Sequence, residues 1–442
     1  MDELFDLPAP DDDLTGTEGP AGRPRLQRPD RDQVQLRATH LDALLPADHR
    51  ARLVWGYVEG LDLSGLEARV RSVEGGPGRP AIDPAILMGL WLYATLEGVG
   101  SARALERLCD EHDAYRWLCG GVGVNHHTLA DFRVDHVELL DDILTTGVAA
   151  LIAGGLVTME RVAQDGMRVR ASAGDGSFRR RDTLEAALAD AEAQVRALRA
   201  ELDDDPAATS RRVAAARERA ARERLERVRE ALGRLPALEA ARRRKGRPPG
   251  TVRVSTTDPG ARVTKMADGG WRPAWNAQLA TDAGSGIIVG ADIARVGVDH
   301  GELAPMVRQL RRRYGRAPGA MLADGGFVNL DAFEELAACG VTVYAPPKED
   351  HRIIRGPADP SAIDTPVIAG WRARMATPEA LAIYRGRASA AEWTNAGMRN
   401  RGLHAVRVRG RDRVRACLLW QVLAHNLMRI TALRRTGMAA PG

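Results

Sequence analysis

Arg161-Val162-Ala163-Gln164-Asp165-Gly166-Met167-Arg168-Val169 is short, carries β-branched valines near both ends, and reads as a β-strand with an aspartate at its centre. An unpaired carboxylate is costly to bury in a strand, so Asp165 is either the cap of a turn or part of a site. Strand-like texture resumes at residues 275–280, 287–293, 320–322 and 341–344. Helical patterns lie between these over residues 302–314 and 330–338, and closing helices over 390–398 and 414–433. Strands first, then strand and helix in alternation, predict an α/β domain: a mixed sheet flanked by helices.

A different texture separates the first strand from the rest. Leu184, Leu188, Ala191, Val195, Leu198 and Leu202 recur at spacings of four and three, a heptad seam. Asp203-Asp204-Asp205-Pro206 breaks the seam, and Ala221, Leu225, Val228, Leu232 and Leu235 start a second. Two such helices joined by a short polar turn predict an antiparallel hairpin with arms of roughly 30 Å, inserted into the sheet domain. It ends in Arg242-Arg243-Arg244-Lys245-Gly246-Arg247, a linker suited to phosphate.

Upstream, residues 41–155 are helical in pattern. Asp83 and Pro84 supply an N-cap and a first-turn proline for an apolar segment over residues 85–96, and Ser101 caps a helix over 102–109. His126 to Arg133 reads as a turn and a further helix start, and short helices with glycine turns suit a helix-turn-helix-like module. The first twenty residues hold seven acids and no base, the reverse of a signal peptide, which predicts a cytoplasmic protein with a disordered acidic leader. No apolar run approaches the length of a membrane helix, and Cys109, Cys119, Cys339 and Cys417 are scattered without ligand-like spacing. Net charge is only +4 over 442 residues, yet ten arginines face one acid, Asp412, between Arg399 and Arg435. That tail is a candidate nucleic-acid footprint; its plain alternative is a solvated helix face.

Three acids stand out. Asp165 lies within a strand, Asp324 directly follows one in Met321-Leu322-Ala323-Asp324-Gly325-Gly326, and Glu392 lies near a helix start. Strand ends of such sheets are where ligands meet the protein, and the glycines beside both aspartates would let a phosphate backbone approach. Hard oxygen ligands of this kind suit Mg²⁺. Asp292, also on a predicted strand, rivals Asp324 for the middle position. His126-His127 and Asp299-His300 are pairs without further ligands, so no zinc site is expected.

Tyr384, Arg387, Glu392 and Arg399 together resemble the C-terminal signature of insertion-sequence transposases with an Asp-Asp-Glu triad, with arginine where lysine is usual. Gln164 to Ala171 is similar to the segment of the first triad residue, and Leu322 to Phe327 to that of the second. Asn400 to Leu403, Val408 to Gly410, and Ala424 to Leu427 resemble the family's ending, and Gly78 to Tyr93 its N-terminal helical domain. The resemblance implies a ribonuclease-H-like catalytic core over residues 156–180 and 250–436, interrupted by the hairpin at 181–249. An all-helical DNA-binding domain at 36–155 and the leader at 1–35 would precede it. It favours Asp324 over Asp292. It further implies Asp165, Asp324 and Glu392 as catalytic ligands of two Mg²⁺ ions (Mn²⁺ could substitute), and Tyr384, Arg387, Arg399 and Arg401 on DNA phosphates. The expected partners are terminal inverted repeats and target DNA, bound as a homodimer and associated with the nucleoid. The alternatives are a silent DNA-binding repressor and a structure-selective nuclease of the same fold.

Overall fold

A computed structural model describes residues 32, 40–70, 72, 80–204, 211–244, 246–295, 297–347 and 364–437. All of the predicted leader but Asp32, and the hairpin turn at 205–210, lie outside them. From Arg50 the chain forms helices α1 (Arg50–Glu59), α2 (Ser64–Glu67), α3 (Pro84–Leu96), α4 (Ala102–Glu111), α5 (Asp113–Cys119), α6 (His126–Asp135) and α7 (Val137–Ala153). Asp83 caps α3 by accepting from the Ala85 amide at 2.7 Å, with Pro84 in the first turn. Every residue of α3 from Ile86 to Leu96 is buried, as an apolar surface on all sides of a helix requires.

The sheet domain begins with β1 (Arg161–Arg170) and a two-residue β2 (Phe178–Arg179). Helices α8 (Arg181–Asp204) and α9 (Arg211–Arg244) follow. They pack through Leu184, Ala191 and Val195 against Ala221, Leu225 and Leu235, all buried. Arg181 pairs with Glu239, Glu192 with Arg229, and Arg199 with Glu218, so the two helices run in opposite directions. At 24 and 34 residues they extend about 36 and 51 Å, longer than the seams alone implied.

Beyond α9 come β3 (Val254–Ser255), β4 (Arg262–Lys265), β5 (Trp271–Asp282), β6 (Ile288–Ile293), α10 (Leu303–Tyr314), β7 (Ala320–Leu322), α11 (Leu330–Ala338) and β8 (Thr342–Tyr344). Three helices finish the described chain: α12 (Pro366–Met375), α13 (Pro378–Asn400) and α14 (Arg411–Arg435). The main sheet has the order β4-β5-β1-β7-β8, with β6 also paired to β5. β5 is antiparallel to β1, and β4 and β6 are antiparallel to β5. β7 is parallel to β1, and β8 is parallel to β7. The chain is thus mixed α/β with fourteen helices among the described residues, none long and apolar enough to cross a membrane. Helix α13 starts twelve residues before the expected position, because Thr377 caps it, accepting from the Ala380 amide, and Pro378 fills its first turn.

Helix α14 corrects the reading of the arginine-rich tail. It is not a free basic face: it packs on α3, α6 and α7 and on β6, and most of its residues from Val414 to Leu427 are buried. Asn426 accepts from the Ile288 amide and donates to the Ile288 carbonyl, both at 2.9 Å, supplying β6 with the bonds a neighbouring strand would make. Arg411 and Arg415 bind Asp292, Arg415 also binds Asp141, and Arg429 donates to the Ser285 carbonyl. Three of the tail's ten arginines, Arg411, Arg415 and Arg429, are engaged in docking the helix, while Arg399, Arg407, Arg409, Arg413, Arg434 and Arg435 stay exposed.

A candidate active site where two parallel strands part

Pairing between β1 and β7 covers three residues and ends at Ala163 opposite Leu322. Asp165 and Asp324 each stand two residues past that last pair, so they face one another across the gap where the parallel strands separate. A gap at the carboxyl ends of strands whose connections diverge is where open α/β sheets receive ligands. Asp165 is 18% exposed and Asp324 44%. An Nη nitrogen of Arg387 from α13 lies 3.5 Å from the first carboxylate and 3.8 Å from the second, between the two.

Local bonds fix both acids. Asp324 caps the turn Gly325–Phe327, accepting from the Gly326 amide at 2.7 Å, so the plain capping role and the site position coexist. Asp165 accepts from the Gly166 amide at 2.9 Å and from the Asn395 side-chain amide at 2.8 Å. Burial pushes the Asp165 pKa up, and Asp324 and Asp299 add to that, while Arg387 and the Gly166 amide oppose it. Because Asn395 must point its nitrogen at the carboxylate, its Oδ1 is left buried without a hydrogen-bond partner. Two facing carboxylates at the end of a parallel ladder are hard oxygen donors of the kind a divalent cation takes.

A third acid enters from a stretch the sequence reading treated as an isolated pair. Asp299 binds Arg168 at 2.9 Å and accepts from Asn276 and Gln278 at 2.8 Å each. Burial works against its ionisation, but the bonds from Arg168, Asn276 and Gln278 outweigh it and hold its pKa below the usual carboxylate value. A side chain at Gly166 would place its Cβ 1.9 Å from Asp299 Oδ1, so this glycine makes room for Asp299 and not for a phosphate. Asp165, Asp268, Asp299 and Asp324 line one cavity of about 500 Å³ together with Arg168, Lys265, Arg272 and Arg399, of which Arg168 is paired with Asp299 and Arg272 with Asp268.

The other expected site residues are placed as follows. Glu392 is exposed on α13, three residues before Asn395, and does not line the cavity. Among the described residues no three His, Cys, Asp or Glu side chains form a ready-made metal group. Tyr384 is half-buried, its pKa raised first by burial and then by Asp324 and Asp165, against Arg387. Arg399 borders the acidic cavity, whereas Arg401 lies in a separate one of about 400 Å³. There Arg401 is within 3.5 Å of Gln421 and His425 with no carboxylate among its contacts, and burial lowers its pKa to about 10. Asp292, the rival for the middle position, is held by Arg411 and Arg415 away from the cavity. Sequence reasoning missed Asp299, Arg168, Asn276, Gln278 and Asn395; two amides at alternate positions of one buried strand were the available signal.

Comparison with known families agrees with this geometry. Residues 39–135 match a family model described as a transposase domain, and residues 251–427 match one described as a transposase DDE domain. Neither a curated protein nor a solved structure matches the chain. The helical region and the sheet region thus carry the two halves of one kind of protein, a DNA transposase. More narrowly, the chain belongs to the insertion-sequence DDE transposases, proteins of DNA transposition and recombination that generally use divalent metal ions. The second match begins after α9, so Asp324 and Glu392 fall inside it and Asp165 outside.

Proposed function

We propose that this transposase hydrolyses a phosphodiester at each end of its element and joins the freed 3′-hydroxyl to target DNA. The observation that carries the reading is the pair Asp165 and Asp324, facing one another past the end of the β1–β7 ladder with Arg387 between them. The strand order β6-β5-β1-β7-β8, antiparallel on one side of β1 and parallel on the other, supports a ribonuclease-H-like core. The α8–α9 pair is then a hairpin inserted between its first and second strands. Residues 36–155 would read the terminal inverted repeats, and two copies would act together on DNA to bring two ends into one complex.

Asp165 and Asp324, with Glu392 brought in from α13, would hold Mg²⁺, for which Mn²⁺ could substitute. When bound, two such ions activate the attacking oxygen and stabilise the leaving one in an in-line displacement. In the first step a water oxygen bonds to phosphorus and the 3′-oxygen of the element leaves, taking a proton. In the second that 3′-oxygen attacks a target phosphodiester and displaces the target's own 3′-oxygen, so one phosphodiester replaces another without an external energy source. The chain's residues position and neutralise: Arg399, Lys265 and Arg272 meet incoming phosphate at the rim, and Arg387 balances the acids. Purified protein with Mg²⁺ and labelled terminal repeats is expected to nick the ends and join them to a plasmid. Nicking by Asp324→Asn at the parent's rate overturns the assignment.

A further inference from the structure

The arginines on and just beyond the α8–α9 pair differ in their partners. Along the stem several are answered by acids, Arg181 by Glu239, Arg199 by Glu218, Arg229 by Glu192 and Arg234 by Glu230, while Arg219 and Arg224 donate to the Ala215 carbonyl and to Gln194. Where α9 ends, Arg180, Arg242, Arg247, Arg253 and Arg262 surround a cavity of about 660 Å³ that contains one acid, Asp175. Among the described residues none of these five forms an ion pair. The Nε atoms of Arg242 and Arg262 are buried without a hydrogen-bond partner. Arg262 is anchored by donating to the carbonyls of Pro259 and Ala261 at 2.9 Å, which holds the guanidinium in place without neutralising it. Burial lowers its pKa to about 10, aided by Arg234 and opposed by Asp258 and Glu230, which act on it without pairing with it.

An uncompensated cation held in a partly buried wall is costly unless a ligand supplies the missing charge. Phe178, Leu238 and Val252 give the cavity an apolar lining, which lowers the local dielectric and strengthens attraction to an anion. Apart from the single hydroxyl of Thr251, the lining has no neutral polar side chain that could read a base edge. The chemistry is that of backbone recognition by guanidinium groups, independent of sequence. The cavity is also placed for it. Strand β4 runs from Arg262 in its wall to Lys265 in the wall of the acidic cavity. Three residues of strand span about 10 Å, close to three base-pair steps of about 3.4 Å.

We propose that this cavity is a second DNA site, which takes backbone phosphates of the same duplex a few base pairs from the phosphodiester in the acidic cavity. It fixes the direction in which that duplex leaves the protein. The proposal rests on the acidic cavity being where DNA is cut.

The test measures affinity against salt for the full chain carrying Arg247→Gln and Arg253→Gln, both exposed and without side-chain bonds among the described residues. The probes are a terminal-repeat duplex with random flanks and versions trimmed back to the nicked phosphate on either side. On the long duplex the slope of log affinity against log salt is expected to fall by about 0.9 for each arginine removed. On the version trimmed on the cavity side parent and variant are expected to bind alike, and nicking of that short duplex is expected to be unchanged. An unchanged slope on the long duplex in a variant that melts like the parent overturns the proposal. So does an equal loss on both trimmed duplexes. If the double variant does not fold, Arg180→Gln, exposed at the same rim, is measured under the same two criteria. Failure of the parent to nick any duplex defeats the cleavage reading while the salt slope still reports on the cavity.

Discussion

The cleft between β1 and β7 and the cavity at the foot of α9 carry opposite charges and are built by opposite means. In the cleft every acid is answered: Asp165 by Asn395, Gly166 and Arg387, Asp299 by Arg168, Asn276 and Gln278, Asp324 by the Gly326 amide, and Asp268 by Arg272 and the Gly270 amide. In the cavity, among the described residues, no arginine is in an ion pair, and Arg262 is held by backbone carbonyls with Asp258 and Glu230 acting only at a distance. Groups that must be held at fixed positions for chemistry have their geometry determined in advance by donors of the protein. Groups that only attract a polyanion can leave neutralisation to the ligand, and gain salt-sensitive affinity from it. The acids are tied down, and the cations are left open.

Glu392 is the member that does not obey this rule, and it is the sharpest place to break the comparison. It is exposed and unanswered, while its neighbour Asn395 reaches Asp165. If Glu392 completes the site when DNA and metal arrive, Glu392→Gln is expected to slow nicking by about 10³-fold, about 4 kcal/mol of barrier, with unchanged melting. Parent-like nicking by Glu392→Gln, together with loss in Asn395→Ala, would transfer the third oxygen to Asn395.

Helix α13 shows what local sequence carries. The cap Asp83-Pro84, the heptads of α8 and α9, and the spans of α10 and α11 were all legible, because each is set by residues within a few positions. Asp165 and Asp324 were legible as strand-associated acids. Asp299 was not: its partners lie 131, 23 and 21 positions away, at Arg168, Asn276 and Gln278. The docking of part of the tail was illegible for the same reason. Ten arginines in sequence read as a surface, but Arg411 and Arg415 are turned towards Asp292 and Asp141 by packing that no local pattern encodes.

Leaving cations unanswered near a buried site has a cost that pH exposes. His425 of α14 lies between Arg401 and Arg429, 3% exposed, its Nε2 donating to the Gly286 carbonyl at 3.0 Å and its Nδ1 facing Arg401. Burial lowers its pKa to about 4, with both arginines contributing and the Gly286 carbonyl opposing. The unfolded chain takes up this proton near the ordinary histidine value of about 6.5, so stability is lost as pH falls from there towards about 4 and is untouched above. The loss amounts to roughly 3 kcal/mol at about 1.4 kcal/mol per pH unit. Urea titrations at several pH values are expected to show the parent falling faster than His425→Asn across that window. Parallel curves would mean that the ring takes up its proton equally in the folded and the unfolded chain.

Within the cleft, the rule of answered acids makes Asp299 a positioning residue: it orients Arg168 and the two β5 amides beside Asp165. Asp299→Asn is expected to cut nicking and raise the Mg²⁺ concentration for half activity by about 10- to 100-fold, the range for residues that support ligands. A purely structural role would lower the melting temperature and leave the Mg²⁺ requirement where it was.

The smallest effect is the control on which the comparison depends. Arg229 on the stem is paired with Glu192 at 2.8 Å, and its side chain is 57% exposed. An exposed pair of this kind contributes about 0.2–1 kcal/mol to stability, and an arginine already neutralised by an acid releases little salt when DNA binds. Arg229→Gln is therefore expected to shift the melting temperature slightly and to leave the salt dependence of DNA affinity unchanged, where Arg253→Gln lowers it. Equal changes in salt dependence for the two variants would mean that the whole length of the stem, and not its foot, lies along the DNA.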